Sequence, residues 1–530
     1  MTTVNGGSYM HVTSRLSSQF SSNEDDVLDV SSATNSIHEA ISQESWYQQT
    51  LSVVVVGASG DLAKKKTYPS LLKLFEENLL PADGIIYGYA RSRKSHEEFR
   101  RHLLPHLKKT GTNEIIVKDF LSKCYYHSGK TYGDKSAYAD MIGDGLVPFE
   151  ESTKNTVSNR LFYLAVPPDV FGESGVVIKT HGMSTTGWTR VVIEKPFGQD
   201  LESCDALLQT LSENFEEHHL YRIDHYLGKE IVQNMLMFRF SNSFWEPIWN
   251  SDTIESVVIT FKEPFGTDGR GGYFDKYGII RDILQNHLLQ VATLFAMEPP
   301  KNEDADAIRD AKVEVLKSME ILSLQDCLLG QYDGYSDDPT ITNKDTNCPT
   351  YAAIRCKINN PRWKGVPFIL QAGKAMDEKV CDIQVRFKPA KSFPSMRRSS
   401  KNFLENAPAE MVMRLQPDPC ISLNLNIKSP GFSTMPTRGN MVMRYEDMPN
   451  LSNPDAYTRL LLDVIRGKQG SFVRDDELRF SWQIFTPLLH AIDDTKVRPL
   501  PYRFGSSGPA NREAWMAETT KSVLPLQASL

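Results

Sequence analysis

Leu51-Ser-Val-Val-Val-Val-Gly57-Ala-Ser-Gly60-Asp-Leu-Ala63 passes from an apolar, β-branched run into a turn that carries two glycines. A strand apolar on both faces belongs in a buried parallel sheet. After the turn, residues 65–78 place Leu71, Leu72, Leu74 and Phe75 at helical spacing. A second strand follows at 84–90 (GIIYGYA), and strand-like runs recur at 160–166 (RLFYLAV) and 189–193 (TRVVI). Strands alternating with helices predict a doubly wound α/β domain of the Rossmann type.

Within the turn, Gly57 permits a tight bend, Gly60 lets the backbone approach a pyrophosphate, and Ala63 is small enough for close helix–strand packing. The helix start then offers free N–H groups to phosphates. Gly57, Ala58, Ser59, Gly60, Asp61, Leu62, Ala63 and Lys64 are therefore the candidate dinucleotide loop. The pattern alone also fits a plain strand-to-helix turn; the strand, turn, helix, strand context favours the dinucleotide. Enzymes that use NAD usually end the second strand on an acid that binds the ribose 2′-hydroxyl. Here the strand runs into Ala90-Arg91-Ser-Arg93-Lys94, with no acid before Glu97. A guanidinium suits a 2′-phosphate, which favours NADP, although a solvated basic loop has the same composition.

The pattern changes beyond about residue 250. Residues 421–428 (ISLNLNIK) and 381–387 (CDIQVRF) alternate apolar and polar, with weaker candidates at 253–262 and 411–416. Alternation marks half-wet, typically antiparallel sheets. Helical stretches at 279–297 and 475–494 punctuate this half. The expected organisation is a Ser-rich disordered tail over 1–48, a dinucleotide-binding domain over 49–224, and a larger α+β domain over 225–530 with a mainly antiparallel sheet and packed helices.

Composition narrows the function. With 530 residues the chain is too long for one ordinary core. Its 66 acids outweigh 59 bases, which argues against broad binding to nucleic acid or membranes. Seven scattered cysteines without a CxxC pair argue against a disulfide framework or a zinc site, and no metal is expected. No apolar run approaches the ~18–20 residues of a membrane-spanning helix. The N-terminal segment has Arg15 as its only Lys or Arg and carries Glu24, Asp25 and Asp26, unlike a transit peptide or a secretory signal. The terminal Ala-Ser-Leu lacks the basic middle residue of a peroxisomal signal. A cytoplasmic location is the expectation.

Residues 221–230 (YRIDHYLGKE) gather Asp224, His225, Tyr226 and Lys229. If this segment starts a helix, His225 and Lys229 lie one turn apart on one face, a suitable monophosphate site; a solvated helix start would look the same. Residues 278–297 (GIIRDILQNHLLQVATLFAM) place Ile280, Ile283, His287, Val291 and Leu294 on one stripe. A histidine on such a face is either a satisfied core residue or, given a carboxylate partner, a general base. Asp282 lies off that stripe. Lys195 ends an apolar strand just before Pro196, at the strand end where open α/β sheets bind ligands. Glu263 sits in FKEPFG, and Lys374 and Lys379 in GKAMDEK.

Taken in order, GASGDLAKKK, GYARSR, VVIEKPFG, RIDHYLGKE, FKEPFGTDGRGGYFDKYGIIRD, QNHLLQ and VPFILQAGKAMDEK make the chain resemble the glucose-6-phosphate dehydrogenase family over roughly residues 53–509. The resemblance implies oxidation of β-D-glucose 6-phosphate at C1 to 6-phosphogluconolactone with NADP⁺, the first oxidative step of the pentose phosphate pathway. It implies His287 as the general base and Asp224 as its supporting carboxylate. It also implies phosphate binding by His225, Tyr226, Lys229 and Lys379, sugar contacts or pocket lining by Lys195, Glu263, Asp282 and Lys374, and coenzyme binding by residues 57–64, Arg91 and Lys195. A homodimer or homotetramer built through the larger domain follows by the same resemblance. Lys379 stands where Arg is common, and Phe171 where some relatives have Tyr. A second, structural NADP site found in animal members is expected to be absent or weak, because Gln371, Val380, Gln384, Ser422, Asn424 and Ser507 do not suit it. The alternatives are another NADP-linked sugar dehydrogenase sharing Glu194-Lys195-Pro196, or a silent paralogue, although the candidate base and phosphate ligands are all present.

Overall fold

The computed structural model describes residues 38–389, 407–432, 436–448 and 453–520. Most of the expected tail and the terminal Ala-Ser-Leu lie outside these residues. Residues 38–48 are described, with Ile41 and Trp46 buried, so two apolar side chains suffice to anchor the end of the Ser-rich segment. Trp46 Nε1 donates to Glu44 (2.6 Å), which in turn pairs with Arg466.

Among the described residues, fifteen strands form two sheets. The first contains β1 (Thr50–Val56), β2 (Gly84–Ala90), β3 (Cys124–Ser128), β4 (Ser158–Leu164), β5 (Thr189–Glu194) and β6 (Leu220–Ile223). All are parallel, in the order β3-β2-β1-β4-β5-β6, which is the Rossmann order. Every residue of β1 is buried, as its unbroken apolar run requires. The sequence patterns did not reveal β3 or β6. The former is a half-exposed edge strand, CYYHS, and the latter is four residues long and interrupted by Arg222. Arg222 is buried and ion-paired with Glu217 (2.7 Å), so its charge hides a core strand.

The second sheet contains β7 (Ile254–Lys262), β8 (Cys327–Tyr332), β9 (Tyr351–Lys357), β10 (Pro367–Gly373), β11 (Val380–Phe387), β12 (Glu410–Gln416), β13 (Cys420–Lys428), β14 (Pro436–Arg444) and β15 (Leu500–Tyr502). Their order is β14-β13-β12-β11-β7-β10-β9-β8-β15. Only the β7–β10 and β8–β15 pairs are parallel. The expected half-wet alternation is cleanest in β12. In central β11 the first four residues are all buried, because the sheet is covered on both sides there.

The expected helix over 279–297 is three segments. A helix over Gly271–Ile279 breaks at Gly278 (φ +65°), Ile280–Leu288 winds as wider π-helical turns, and Leu289–Ala296 continues as α-helix. A late helix, Ala456–Arg466, returns to the first sheet. Its Tyr457, Leu460, Leu461, Val464 and Ile465 share a core with Leu71 and Leu72 of the helix Tyr68–Glu76. It ends at Gly467 (φ +79°), and Arg190 Nη1 donates to its last carbonyls, Val464 O (2.8 Å) and Ile465 O (2.6 Å).

Candidate active site

The carboxyl edge of β5 and β6 meets the π-helical segment and the ends of β7, β10 and β11. Chain leaves β6 at Ile223, makes one 3₁₀ turn over His225–Gly228, and starts the next helix only at Glu230. The expected continuous helix start is therefore broken: Lys229 is extended (φ −74°, ψ 140°). Asp224 supplies the reason, since its Oδ1 accepts the Tyr226 N–H (3.0 Å) and caps the turn.

The same Oδ1 lies 2.5 Å from His287 Nδ1, and both residues are almost fully buried. With Asp224 ionised, Nδ1 carries the proton, and Nε2 makes no hydrogen bond among the described residues. The Tyr226 ring stacks on His287 (4.5 Å, 20°), and His225 meets it edge-on (4.6 Å, 73°). Burial pushes the His287 pKa below the ordinary histidine value, with the Asp224 charge working against it. Burial alone would raise the Asp224 carboxyl, but the imidazole beside it holds it at about 2. The pair is thus a neutral imidazole backed by a carboxylate at neutral pH.

Cations crowd one side of this pair. Lys229 Nζ donates to Gln416 Oε1 (2.7 Å), while Gln416 Nε2 donates to the Tyr226 hydroxyl (3.3 Å). Burial lowers the Lys229 ammonium below its usual value, and the Lys66 and Lys379 charges add to that effect. Lys379 is exposed. His225 is also held neutral, first by burial and then by the His287 ring. Lysines that destabilise one another, with neutral imidazole and phenol beside them, form a site that an anion would relieve.

On the other side, Lys195 Nζ donates to Asp282 O (2.8 Å) and Oδ1 (3.2 Å), and Lys374 pairs with Glu263 (2.6 Å). Burial would raise the Asp282 carboxyl, but the Lys195 and Lys374 charges hold it below its ordinary value. By sequence spacing Asp282 lies off the apolar stripe that carries His287 and is free to reach elsewhere. In π-helical winding residues five apart come to one side, and Asp282 and His287 both face the site.

The turn after β1 is shaped for close approach. Gly57 has φ +85°, and a Cβ there would lie 2.4 Å from Ala165 O. A Cβ on Gly60 would meet only Gly57 O, at 3.0 Å, so its outer side is open. Ala58 is buried where β2 crosses, and a Cβ on Gly88 would meet its methyl at 2.7 Å. Ser59 Oγ accepts from Ser92 Oγ (3.1 Å). Asp61 is exposed and pairs with Lys64 (2.7 Å) and Lys65 (2.8 Å), while Leu62 is half-buried and Ala63 buried. Arg91 is exposed, its guanidinium 5.1 Å from the Tyr132 ring centre. Arg91, Arg93 and Lys94 form no ion pair among the described residues, which leaves three cations beside the turn.

The profile for the glucose-6-phosphate dehydrogenase NAD-binding domain matches residues 54–234, and the profile for that enzyme's C-terminal domain matches residues 236–523. The chain belongs to the glucose-6-phosphate dehydrogenase family. It is 45% identical over 473 residues to the cytoplasmic isoform of glucose-6-phosphate 1-dehydrogenase from Solanum tuberosum, covering 87% of this chain and 90% of that one. A Dictyostelium discoideum glucose-6-phosphate 1-dehydrogenase is 46% identical, covering 88% and 93%. A solved glucose-6-phosphate dehydrogenase in complex with glucose 6-phosphate superposes with a TM-score of 0.84 at 40% identity, covering 91% of this chain and 99% of that one.

Three residues that the structure brings to this cluster were not anticipated. Gln416 sits at the end of an edgeward strand, and nothing in its neighbourhood marks it as a lysine partner. Tyr457 stacks on His225 (5.7 Å, 11°) from the late helix, far along the chain. Lys66 was visible only as one of three consecutive lysines. The positions weighed for a second coenzyme site are engaged or neutral. Gln371 donates to Thr260 (2.8 Å) and accepts from Arg512 (3.1 Å), Gln384 turns to Asp382, and Val380 is buried. Ser422 and Asn424 are half-buried, and Ser507 is exposed.

Proposed function

We infer that the chain oxidises β-D-glucose 6-phosphate at C1 to 6-phospho-D-glucono-1,5-lactone, with His287 as general base and Asp224 as its supporting carboxylate. The observation that carries this reading is the buried Asp224–His287 pair, whose Nε2 is free beside a cluster of cations. Residues 57–64, Arg91 and Lys195 would hold NADP⁺, which would supply the hydride acceptor. His287 Nε2 takes the proton from the C1 hydroxyl as the C1–H bond breaks, and C1 becomes the lactone carbonyl. Asp224 stabilises the imidazolium as it forms, and general-base catalysis of this kind is worth roughly 10²–10⁴-fold. No metal is needed, since the proton leaves to imidazole and the hydride to the coenzyme.

His225, Tyr226, Lys229 and Lys379 hold the phosphate, while Lys195, Glu263, Asp282 and Lys374 hold the sugar or line its pocket. The open Gly60 and the unpaired Arg91 support a pyrophosphate and a 2′-phosphate at the turn. We place the division between the coenzyme and substrate halves at Asp224/His225, assembly as a dimer or tetramer through the larger half, and the protein in the cytoplasm. No helix among the described residues is long and apolar enough to cross a membrane.

The test is NADPH absorbance with glucose 6-phosphate, wild type against His287→Asn. The variant is expected to lose at least ~10²-fold in kcat. A full rate would refute the base, and equal activity on unphosphorylated glucose would refute the phosphate site. One NADP per subunit is expected by calorimetry, and two would restore the second site.

A further inference from the structure

Asp224 has two carboxylate oxygens, and only Oδ1 is occupied. Oδ2 is buried and has no hydrogen-bond partner among the described residues. A buried carboxylate oxygen left in this way is costly, and such an orphan calls for a specific explanation. A second orphan lies close by. Gln290 is buried three residues beyond His287, and its Oε1 is likewise without a partner. Both residues line one small, partly open cavity with room of about 20 Å³. Its wall also includes Gln285, Ser481 and Trp482, and further along Lys195, Arg281 and Asn286, whose hydrogen bonds run to Asp282, Gln199, Asp493 and Arg281.

About 10–15 Å³ of this kind of volume accommodates one water, and a buried water needs two to four polar partners. The two orphans are both acceptors, and a water has two O–H donors. Gln285 Nε2 spends one N–H on Ser481 Oγ (3.0 Å), which leaves its second N–H for a lone pair of the water. The room in the cavity, the two orphan acceptors and the spare Gln285 N–H suit one water between Asp224 and Gln290.

We propose that one ordered water bridges Asp224 Oδ2 to Gln290 Oε1, and that Gln290 is thereby a positioning residue for the proton-transfer pair. The proposal rests on Asp224 and His287 acting as inferred above. Without the bridge, Asp224 is fixed through Oδ1 alone and can rotate about its Cβ–Cγ bond. The His287 ring then loses the fixed orientation that points Nε2 at the C1 hydroxyl. Gln290 itself touches neither substrate nor coenzyme in this scheme.

Two measurements test it. A crystal structure of the full-length wild type at a resolution that shows other buried waters should place an oxygen within hydrogen-bonding distance of both Asp224 Oδ2 and Gln290 Oε1. No density there overturns the proposal, and this test needs no variant to fold. Gln290→Met, close in volume but without the acceptor, should lower kcat roughly tenfold while the KM for glucose 6-phosphate stays within about twofold. An unchanged kcat, or a KM rise that accounts for the whole loss, overturns it. His287→Asn measured alongside separates the two ideas. A dead His287→Asn with a fully active Gln290→Met removes only the bridge, whereas an active His287→Asn removes the underlying reading.

Discussion

At the scale of single residues, protonation decides when the site works. As the proposed base, His287 has to be neutral to take a proton, and burial lowers its pKa. Protonation therefore disables the site only at pH values below the ordinary histidine value of about 6.5. The acid limb of kcat/KM against pH should have its midpoint under that value, and a midpoint above 7 would contradict the assignment. Lys229 gives a different signature. Losing a charge-assisted hydrogen bond worth about 1.5–3 kcal/mol should raise the KM for glucose 6-phosphate roughly 10- to 100-fold in Lys229→Ala. Oxidation of glucose itself should hardly change, and an equal loss on both substrates would show that Lys229 is structural. The polar cluster at 221–230 was legible because four reactive side chains stand together in a short stretch. His287 was not: its place among Ile280, Ile283 and Val291 is what a core residue would show, and only its partner Asp224, far away in sequence, distinguishes it. Gln416 carried no signal at all.

At the scale of elements, the first strand and its turn were legible because they are extreme: seven consecutive buried residues, then a left-handed glycine with no room for a Cβ. Gly57→Ala combines a left-handed backbone, costing about 1–2 kcal/mol, with a methyl driven into Ala165 O. It should lower Tm and weaken NADP⁺ binding by calorimetry, and a variant that binds as tightly as wild type would discredit this turn as the coenzyme loop. The winding of Ile280–Leu288 was invisible. An apolar stripe at steps of three and four is compatible with an α-helix, and no residue type announces a π-helical turn. Its effect is specific: at α-helical spacing Asp282 lies off the face of His287, and π-helical winding brings the two to one side.

At the scale of the whole molecule, the two-part organisation follows from the change of apolar period, but the joints do not. The apolar face of β13, with Ile421, Leu423, Leu425 and Ile427, continues onto Met441 and Met443 of β14. Met441 is 64% exposed and Ile427 47%, so a sheet face that is buried at β12 emerges uncovered at its edge. Sedimentation should find a dimer or larger species. Met441→Lys combined with Met443→Lys should increase the monomer fraction, and an unchanged distribution would place the interface elsewhere. The late helix Ala456–Arg466 bears on a different matter. It seals the face of the first sheet's core formed by Leu71 and Leu72. During synthesis a leading domain commonly completes its fold while the rest is still being made. Here that shortcut is closed: the coenzyme half leaves the ribosome early but stays unsealed until nearly the last helix has emerged. A chain cut after the first sheet but before residue 456 would therefore carry an open apolar flank along Leu71 and Leu72 rather than form a small working dinucleotide binder.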